Sequence, residues 1–271
     1  SYPSSFGWNA RCVEGGKYYY RDSANGWSFK NAVPGYQTWG TVTHGIRVSA
    51  NSYLYSMVSK LDLCDISDMA NKLHLHDGLG QQLYDPGLLS ANIGGTRYGA
   101  TPLTMASAYA TFASEGKYCE PRPLEKITKS DGSPMKTYES KCEQAISPDI
   151  ANGVSYVLKG VLAPGGSAPK RAIGLPDASA AKTGTNDNSS QTWMVGYTRG
   201  LATASWVGSN DLGYRSMNGI AINGRVLEYV DGATYAGAQW QQFMQAMAPK
   251  YNTEKFTEPP ASVTSTNVNG N

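Results

Sequence analysis

The stretch Ala-Ala-Lys-Thr-Gly-Thr at residues 180–185 decides the fold, because it ends a predicted strand, Ala178–Thr185. A short polar turn follows it, and two more segments rich in Val, Thr, Trp and Tyr come next, at Thr192–Thr198 and Leu201–Val207. Short segments of β-branched and aromatic residues joined by brief polar turns are typical of adjacent strands. The sequence therefore predicts an antiparallel meander that begins with this stretch.

The same stretch also carries chemically useful groups. Lys182 at a strand edge offers a fixed cation to a carboxylate, and Thr183 adds a hydroxyl donor beside it. Gly184 has no Cβ, so a ligand can approach the backbone there, and an edge strand offers its main-chain groups to an extended peptide. Taken by itself, however, the motif fits an ordinary surface lysine slightly better than a functional one.

A second candidate motif, Ser49-Ala50-Asn51, lies at a break between two helical segments. The serine hydroxyl and the asparagine amide suit a proton relay and the binding of a substrate amide. Ser and Asn also cap helices well, and either residue could simply begin the helix predicted at Ser52–Lys60. On local evidence alone, capping is the better interpretation.

Most of the remaining chain is predicted to be helical. A helical region from about Val42 to Leu79 is broken near residues 49–51 and 62–65, and Ser67 is the expected N-cap of its last piece, Asp68–Leu75. Later helices are predicted at Thr101–Ser114, Pro148–Leu162 and Ala233–Ala248, and the last of them is expected to bury a face made of Trp240, Phe243, Met244 and Met247.

A hairpin is predicted between the helices, with strands at Tyr118–Thr128 and Met135–Cys142. If Ser130 and Asp131 form a two-residue loop, Cys119 faces Cys142. Opposed residues in a non-hydrogen-bonded pair lie about 4.5–5.5 Å apart, which is close enough for a disulfide. The sequence therefore predicts a Cys119–Cys142 bridge.

Cys12 and Cys64 are then the remaining intrachain pair. An even number of cysteines without metal-site spacing fits disulfides in an exported protein. Four buried free thiols in a cytosolic protein fit the count almost as well, so the hairpin geometry is what favours disulfides.

The composition excludes several classes of function. The 271 residues carry a formal net charge of +2, and no stripe or block of Lys and Arg suggests a nucleic-acid partner. No apolar run approaches the roughly 18–20 residues that cross a bilayer, and no signal peptide is present. The histidines and cysteines lack metal-site spacing, so neither a metal nor a cofactor is predicted.

Together, Ser49-Ala50-Asn51 and Lys182-Thr183-Gly184-Thr185 resemble the second and third active-site motifs of the penicillin-binding proteins and serine β-lactamases. The segments at 92–95, 99–113, 193–198 and 240–247 are similar to those of the bifunctional, class A group of penicillin-binding proteins. The resemblance covers the chain from about residue 41 to residue 247. It implies an α+β fold like that of the serine β-lactamases and D,D-peptidases, in which helices and a helical subdomain flank an antiparallel sheet.

The first motif of that family is Ser-x-x-Lys at the start of a buried helix, and no such sequence precedes Ser49. Literal matches at Ser133–Lys136 and Ser167–Lys170 come after Ser49, in a turn and in a Gly/Pro loop, and we interpret both as accidental. We therefore expect the chain to begin downstream of the nucleophilic serine. An upstream segment of the same polypeptide is then the expected partner that carries the motif.

The expected domain spans residues 1–258 and is incomplete at its N-terminus. Residues 1–40 are rich in loops, residues 41–176 are mostly helical with the hairpin at 118–142, and residues 177–248 form the sheet and the last helix. The polar segment 259–271 is expected to be a flexible tail.

The resemblance implies a peptidoglycan D,D-transpeptidase that cross-links D-Ala-D-Ala stem peptides through an acyl-serine and is inhibited by β-lactams. Ser49 would relay protons to the leaving amine, and Asn51 would hold the substrate amide. Lys182 would raise the positive potential, while Thr183 and Thr185, on either side of Gly184, would bind the terminal carboxylate. The Thr185 N–H would supply half of an oxyanion hole.

Two alternatives stay open at this point. A D,D-carboxypeptidase or β-lactamase-like hydrolase would use the same motifs, although the helix around Met105–Phe112 argues against it. A non-catalytic peptidoglycan-binding module would keep the fold without the serine. In each case the resemblance implies the extracytoplasmic face of the bacterial cell membrane, with an anchor outside this chain.

Overall fold

The computed structural model describes residues 7–13, 17–19, 30–32, 40–208, 215–222 and 224–264. The helices are α1 (Val42–Arg47), α2 (Asn51–Val58), α3 (Leu63–Lys72), α4 (Pro102–Ala113), α5 (Pro148–Leu162), α6 (Tyr235–Met247) and α7 (Ala261–Thr264). The strands are β1 (Gly7–Asn9), β2 (Lys17–Tyr19), β3 (Lys117–Cys119), β4 (Lys126–Thr128), β5 (Pro134–Thr137), β6 (Cys142–Gln144), β7 (Ala180–Thr185), β8 (Gln191–Thr198), β9 (Leu201–Gly208), β10 (Ala221–Ile222) and β11 (Arg225–Val226). This mixture confirms the predicted α+β class.

The predicted meander is confirmed as a three-stranded antiparallel sheet in the order β7-β8-β9. Ala180 pairs with Tyr197 at one end of β7, and Thr185 pairs with Thr192 at the other end. Within the described residues β7 pairs with β8 alone, so its other side is an open edge of the sheet. The stretch at 182–185 therefore lies on an edge of the sheet that is unpaired within the described residues.

Helices cover both faces of this sheet. Gly196 and Tyr197 are neighbours in β8 and project to opposite faces. On one face, the Tyr197 hydroxyl lies 2.9 Å from Ser155 Oγ of α5, and its ring meets the ring of Tyr109 in α4 edge-on. On the other face, Trp240 of α6 lies so close to Gly196 that a Cβ there would be 2.6 Å from the indole. The sheet is therefore the middle layer between α4 and α5 on one side and α6 on the other.

Helix α6 buries most of the face that the sequence predicts. Trp240 and Met244 are fully buried in the main core, together with Met194 and Tyr197 of β8. Phe243 is 45% exposed, so its place in that face was wrong. At about 100° per residue it lies at the margin of the stripe centred on Trp240 and Met244, where the sheet no longer covers it.

Two other boundaries differ from the prediction. Ser67 does not cap a helix, because α3 already begins at Leu63 and the Asp62 carboxylate accepts from the Cys64 N–H at 2.9 Å. Part of the segment expected to be a flexible tail forms α7, whose Val263 packs against α5 at Gly153. This short docking contact lies in a polar segment in which no periodicity indicates a helix.

Both predicted disulfides form. Cys119 and Cys142 face each other across β3 and β6 with their Cα atoms 4.1 Å apart, and Cys12 bonds to Cys64 at 5.9 Å. The predicted two-residue loop was wrong, because the Lys129 N–H donates to the Ser133 carbonyl and encloses three residues. Irregular pairing between the two halves of the hairpin restores the register at the cysteines.

The hairpin, which we call the arm (residues 117–144), is fastened at its base to His74, two residues after the end of α3. The His74 ring stacks on Tyr118 of β3 with centroids 3.8 Å apart, and His74 Nε2 lies 2.8 Å from Glu143 Oε1 of β6. Most of the arm beyond this point is exposed. The described arm is therefore a projection held at one end.

The two disulfides are expected to differ in their effect on stability. Cys12–Cys64 closes a loop of 52 residues and Cys64 is buried, whereas Cys119–Cys142 closes 23 residues in the exposed arm. Loop-closure entropy gives about 4 and about 3 kcal/mol for the two bridges. We predict that replacing Cys12 and Cys64 with Ala lowers the free energy of unfolding more than replacing Cys119 and Cys142, as measured by urea denaturation. The opposite order would contradict this.

Candidate active site

Ser49 lies in the joint between α1 and α2, in a backbone conformation that serine seldom adopts. The end of α1 forms a Schellman motif, in which the Ser49 N–H donates to the Ile46 carbonyl and the Ala50 N–H donates to the Gly45 carbonyl. The residue after the C-cap in this motif is usually glycine, because its φ is positive. Here it is Ser49, with a φ of 57°. The hydroxyl is therefore presented at a sharp corner, at some cost in backbone strain.

The side chain of Lys182 extends from β7 to Ser49. Its Nζ donates to Ser49 Oγ at 2.7 Å and to the Thr183 carbonyl at 2.8 Å. Tyr197 pairs with Ala180, and Ala180 and Lys182 are two residues apart on β7. The side chains of Lys182 and Tyr197 therefore project from the same face of the sheet. This is the face that α4 and α5 cover. The expectation that the two motifs converge, although 133 residues separate them, is confirmed for Ser49 and Lys182.

The environment of Lys182 weakens its hold on a proton. Burial lowers the pKa of Lys182 from its ordinary 10.5 to about 8, because the charged ammonium loses hydration. Two oxygen acceptors, on Ser49 and on Thr183, still face the ammonium. The group is therefore mostly cationic at neutral pH and becomes neutral in mild alkali.

The two threonines of the stretch project from the other face of β7. Thr185 Oγ1 accepts a hydrogen bond from the Gly232 N–H at 3.0 Å. Gly232 lies against the strand so closely that a Cβ there would be 2.4–2.9 Å from backbone atoms of Gly184 and Trp193. Lys182 and the threonines thus reach the same strand edge from opposite faces of the sheet.

Gly184 has a packing role that the sequence did not reveal. A Cβ at this position would lie 3.2 Å from the Trp193 Cβ on the paired strand, which is tighter than most such contacts. The glycine therefore allows β7 and β8 to pair closely with Trp193 on the same face of the sheet as Lys182 and Tyr197. The approach of a ligand to the backbone at Gly184 stays a prediction.

Asn51 begins α2 and holds a different partner from Ser49. Its Nδ2 donates to the Lys30 carbonyl at 2.7 Å, and the next residue, Ser52, exchanges hydrogen bonds with the Asn31 side chain. These contacts attach residues 30–31 to the start of α2. Asn51 does begin the helix, as the capping interpretation allowed, but neither Ser49 nor Asn51 is its N-cap. The N-cap is Ala50, which makes no side-chain capping hydrogen bond.

The two literal Ser-x-x-Lys matches differ in where they lie. Ser133 bonds to Asp131 in the hairpin turn, far from the helix start that the motif requires. Ser167 lies in a loop before β7, but its Oγ is 3.1 Å from Thr183 Oγ1 and so belongs to the candidate site. Lys170 is exposed on a 3-10 turn. The sequence signal for Ser167 was its place just ahead of β7, not the motif.

Sequence reasoning overlooked two further matches, Ser114–Lys117 and Ser179–Lys182. Ser114 Oγ donates to carbonyls at the end of α4, and Ser179 Oγ donates to the Leu175 carbonyl at 2.6 Å. In neither pair does a helix bring the serine and the lysine to one face. Both hydroxyls are engaged in local backbone contacts.

A family model for the penicillin-binding protein transpeptidase domain matches residues 12–252. The chain belongs to this transpeptidase family. Among curated relatives of the transpeptidase, penicillin-binding protein 1A of Mycobacterium tuberculosis is 29% identical over 236 residues, which cover 80% of this chain and 27% of the relative. Penicillin-binding protein 1A of Clostridium botulinum strain Hall is 25% identical over 240 residues, covering 88% and 27%. The chain spans about a quarter of the length of these relatives.

Solved structures of penicillin-binding proteins share the fold. The penicillin-binding protein PonA1 from Mycobacterium tuberculosis superposes with a TM-score of 0.69 at 22% identity, covering 94% of this chain and 66% of that chain. Penicillin-Binding Protein 1A from Haemophilus influenzae superposes with a TM-score of 0.70 at 20% identity, covering 86% and 38%. These similarities confirm the predicted penicillin-binding transpeptidase fold.

The strain at Ser49 leads to a stability prediction. Ser49→Gly relieves a left-handed conformation that costs a side chain about 1–2 kcal/mol, whereas Ser49→Ala keeps that cost. Both changes remove the hydroxyl, so the comparison isolates the backbone. After subtraction of the greater chain entropy of glycine, Ser49→Gly is expected to be more stable than Ser49→Ala by about 0.5–1 kcal/mol in urea denaturation. Equal stabilities would show that this joint is unstrained.

The pKa of Lys182 gives a second prediction. Because the folded-state pKa of about 8 lies below the ordinary 10.5, the unfolded chain binds this proton more tightly between those values. The free energy of unfolding should therefore rise with pH from about 8 to 10.5, relative to a Lys182→Met variant that has no such proton. One pKa unit corresponds to about 1.4 kcal/mol, and partial solvation reduces the expected rise to about 1–2 kcal/mol. Parallel pH profiles of the two proteins would rule this out.

Proposed function

We propose that this chain is the larger part of a peptidoglycan D,D-transpeptidase domain in a bifunctional cell-wall synthase. The observation that carries the proposal is the 2.7 Å hydrogen bond from Lys182 Nζ to Ser49 Oγ, which joins the second and third motifs of the family. The penicillin-binding protein 1A relatives favour a synthase over a stand-alone hydrolase. The substrate is a stem peptide that ends in D-Ala-D-Ala, and β-lactams compete for the same site.

The proposed reaction has two balanced steps. A serine oxygen bonds to the penultimate D-Ala carbonyl, the peptide C–N bond breaks, and D-alanine leaves with the proton that the serine lost. An amine of a second stem peptide then attacks the ester, and the serine oxygen recovers a proton. Ser49 relays the proton to the leaving amine, and Lys182 holds the Ser49 oxygen in place while its charge stabilises the developing anion.

The carboxylate of the stem peptide binds at the open edge of β7. Thr183 and Thr185 supply hydroxyl donors, and the nearby ammonium of Lys182 supplies positive potential. The Thr185 N–H forms one half of the oxyanion hole, and the peptide backbone aligns along β7 beside Gly184. Asn51 binds the substrate amide, and its hydrogen bond to the Lys30 carbonyl is either replaced by this contact or kept beside it.

The nucleophilic serine comes from an upstream segment of the same polypeptide. Two observations support this part of the proposal. None of the Ser-x-x-Lys sequences in the chain starts a helix with the serine facing Ser49. In the described residues β9 pairs with β8 alone, which leaves a backbone edge of eight residues for a strand of that segment.

The domain acts outside the cytoplasm. Two disulfides favour an oxidising compartment, and stem peptides are cross-linked beyond the cell membrane. Among the described helices, none combines the length and the apolar character that crossing a bilayer requires. The proposed anchor belongs to the upstream segment.

Covalent labelling by a fluorescent penicillin tests the proposal. We predict that the full-length polypeptide forms a stoichiometric adduct, whereas the isolated 271-residue chain forms none, because the serine lies outside it. Lys182→Ala in the full-length protein should reduce the rate of labelling about 100-fold, as expected when a charge that stabilises the transition state is removed.

Lys170→Ala is the matched control. Lys170 is exposed and lies before β7 in the same part of the chain, so its loss should leave the labelling rate unchanged. Labelling of the isolated chain would show that the nucleophile lies within these residues. A full-length protein that is not labelled at all would favour a non-catalytic module of the same fold.

A further inference from the structure

The loop between α5 and β7 is tightly built at residues 163–168, which we call the bridge loop. The Gly166 N–H donates to the Ala163 carbonyl at 2.9 Å, and the Ala168 N–H donates to the Val161 carbonyl at 3.0 Å. A Cβ at Gly166 would lie 2.3 Å from the carbonyl oxygens of Gly160 and Val161, so only glycine fits there. The bridge loop is therefore folded back against the end of α5.

Ser167 connects the bridge loop to both motifs of the site. Its backbone N–H donates to the Arg47 carbonyl at 3.0 Å, at the end of the helix that carries Ser49 two residues later. Its hydroxyl oxygen lies 3.1 Å from Thr183 Oγ1 on β7. The Arg47 guanidinium reaches back and donates to the Pro164 carbonyl. Ser167 thus contacts the end of α1, next to Ser49, with its backbone and Thr183 with its side chain.

The hydroxyl pair of Ser167 and Thr183 has one proton to spare. Each hydroxyl carries one proton, and the hydrogen bond between them uses only one of the two. The Thr185 hydroxyl also has a proton available. Thr185 Oγ1 accepts from the Gly232 N–H, so the hydroxyl proton of Thr185 can be donated to another acceptor. A carboxylate only accepts hydrogen bonds, so two fixed hydroxyls with spare protons on one side of β7 suit it well.

We propose that Ser167 is a positioning residue for the carboxylate end of the substrate, acting through Thr183. The inference rests on the proposed function and deepens it. By holding Thr183 Oγ1 at 3.1 Å, Ser167 fixes the rotamer of that hydroxyl before the ligand arrives. Less conformational freedom is then lost on binding, and one hydroxyl proton of the pair stays available to the ligand. Ser167 therefore favours ligands with a free carboxylate over ligands without one.

The positioning role of Ser167 can be distinguished from a purely structural role. Its backbone N–H, which holds the bridge loop on α1, is kept in Ser167→Ala, so the loop should keep its conformation. Only the contact with Thr183 is lost. Ser167→Thr keeps a hydroxyl and should rescue the contact.

The experiment uses the full-length polypeptide and two ligands, a penicillin with a free carboxylate and the methyl ester of the same penicillin. Acylation is followed at several concentrations to separate the dissociation constant of the first complex from the acylation rate at saturation. For Ser167→Ala, the constant for the free acid should rise about three- to tenfold, the loss expected for one hydrogen bond. The dissociation constant for the ester should not change. Ser167→Thr should restore the dissociation constant for the free acid to that of the unsubstituted protein.

Each other outcome has a distinct meaning. An equal loss for the acid and the ester would assign Ser167 a structural role and overturn the inference, as would normal binding of the acid by Ser167→Ala. The ratio between the two ligands does not depend on the folded fraction, so it remains decisive even if the variant is less stable. Failure of the unsubstituted protein to react with either ligand would instead overturn the proposed function.

Discussion

The hydrogen bond between the Lys182 ammonium and the Ser49 hydroxyl is the interaction on which the rest of the site depends. It connects the turn between α1 and α2 to the edge strand of the sheet, across a sequence separation of 133 residues. For the bond to form, α5 must cover the face of β7 from which Lys182 projects, and α1 must end beside it. The layered packing therefore serves to bring one cation to one oxygen.

Each of the two residues that form this hydrogen bond has a destabilising feature. Ser49 adopts a left-handed backbone, and Lys182 gives up hydration, which lowers its pKa to about 8. Both cost folding free energy, and both leave groups ready to act on a ligand: an exposed hydroxyl at a corner and a cation with few competing waters. Strain and desolvation concentrated at one site are typical of a functional centre, because packing elsewhere in the fold must compensate for them.

Much of the architecture could be predicted because it follows from local patterns. Thr101 and Ser147 each cap a helix by accepting from the N–H three residues later, as their sequence contexts indicate. The strands of the meander follow from β-branched and aromatic runs. The missed features are those that depend on tertiary contact. Asp62 displaced Ser67 as a cap, and Phe243 lies just beyond the covered face of its helix.

The candidate site shows the same division. The paired motifs led to Ser49 and Lys182 because the spacing of residue types within each motif is recognisable. Ser167 was named only as part of an accidental motif match, because its contacts depend on a loop that folds back between α1 and β7, which no short sequence pattern reports. The left-handed conformation of Ser49 was also hidden, since serine is not the residue that this position usually selects.

The arm has a consequence for how the chain tolerates change. Its base is closed by Cys119–Cys142 and by the contacts of His74, and residues beyond the base are mostly exposed. Lengthening a loop whose ends are already joined adds little entropy cost, about 0.6 kcal/mol for each doubling. Insertions at the tip near Gly132 are therefore expected to leave the central sheet and its covering helices undisturbed. In evolution and in engineering alike, the arm is the part of this domain where new sequence can be accepted, for an epitope, a label or a specific partner.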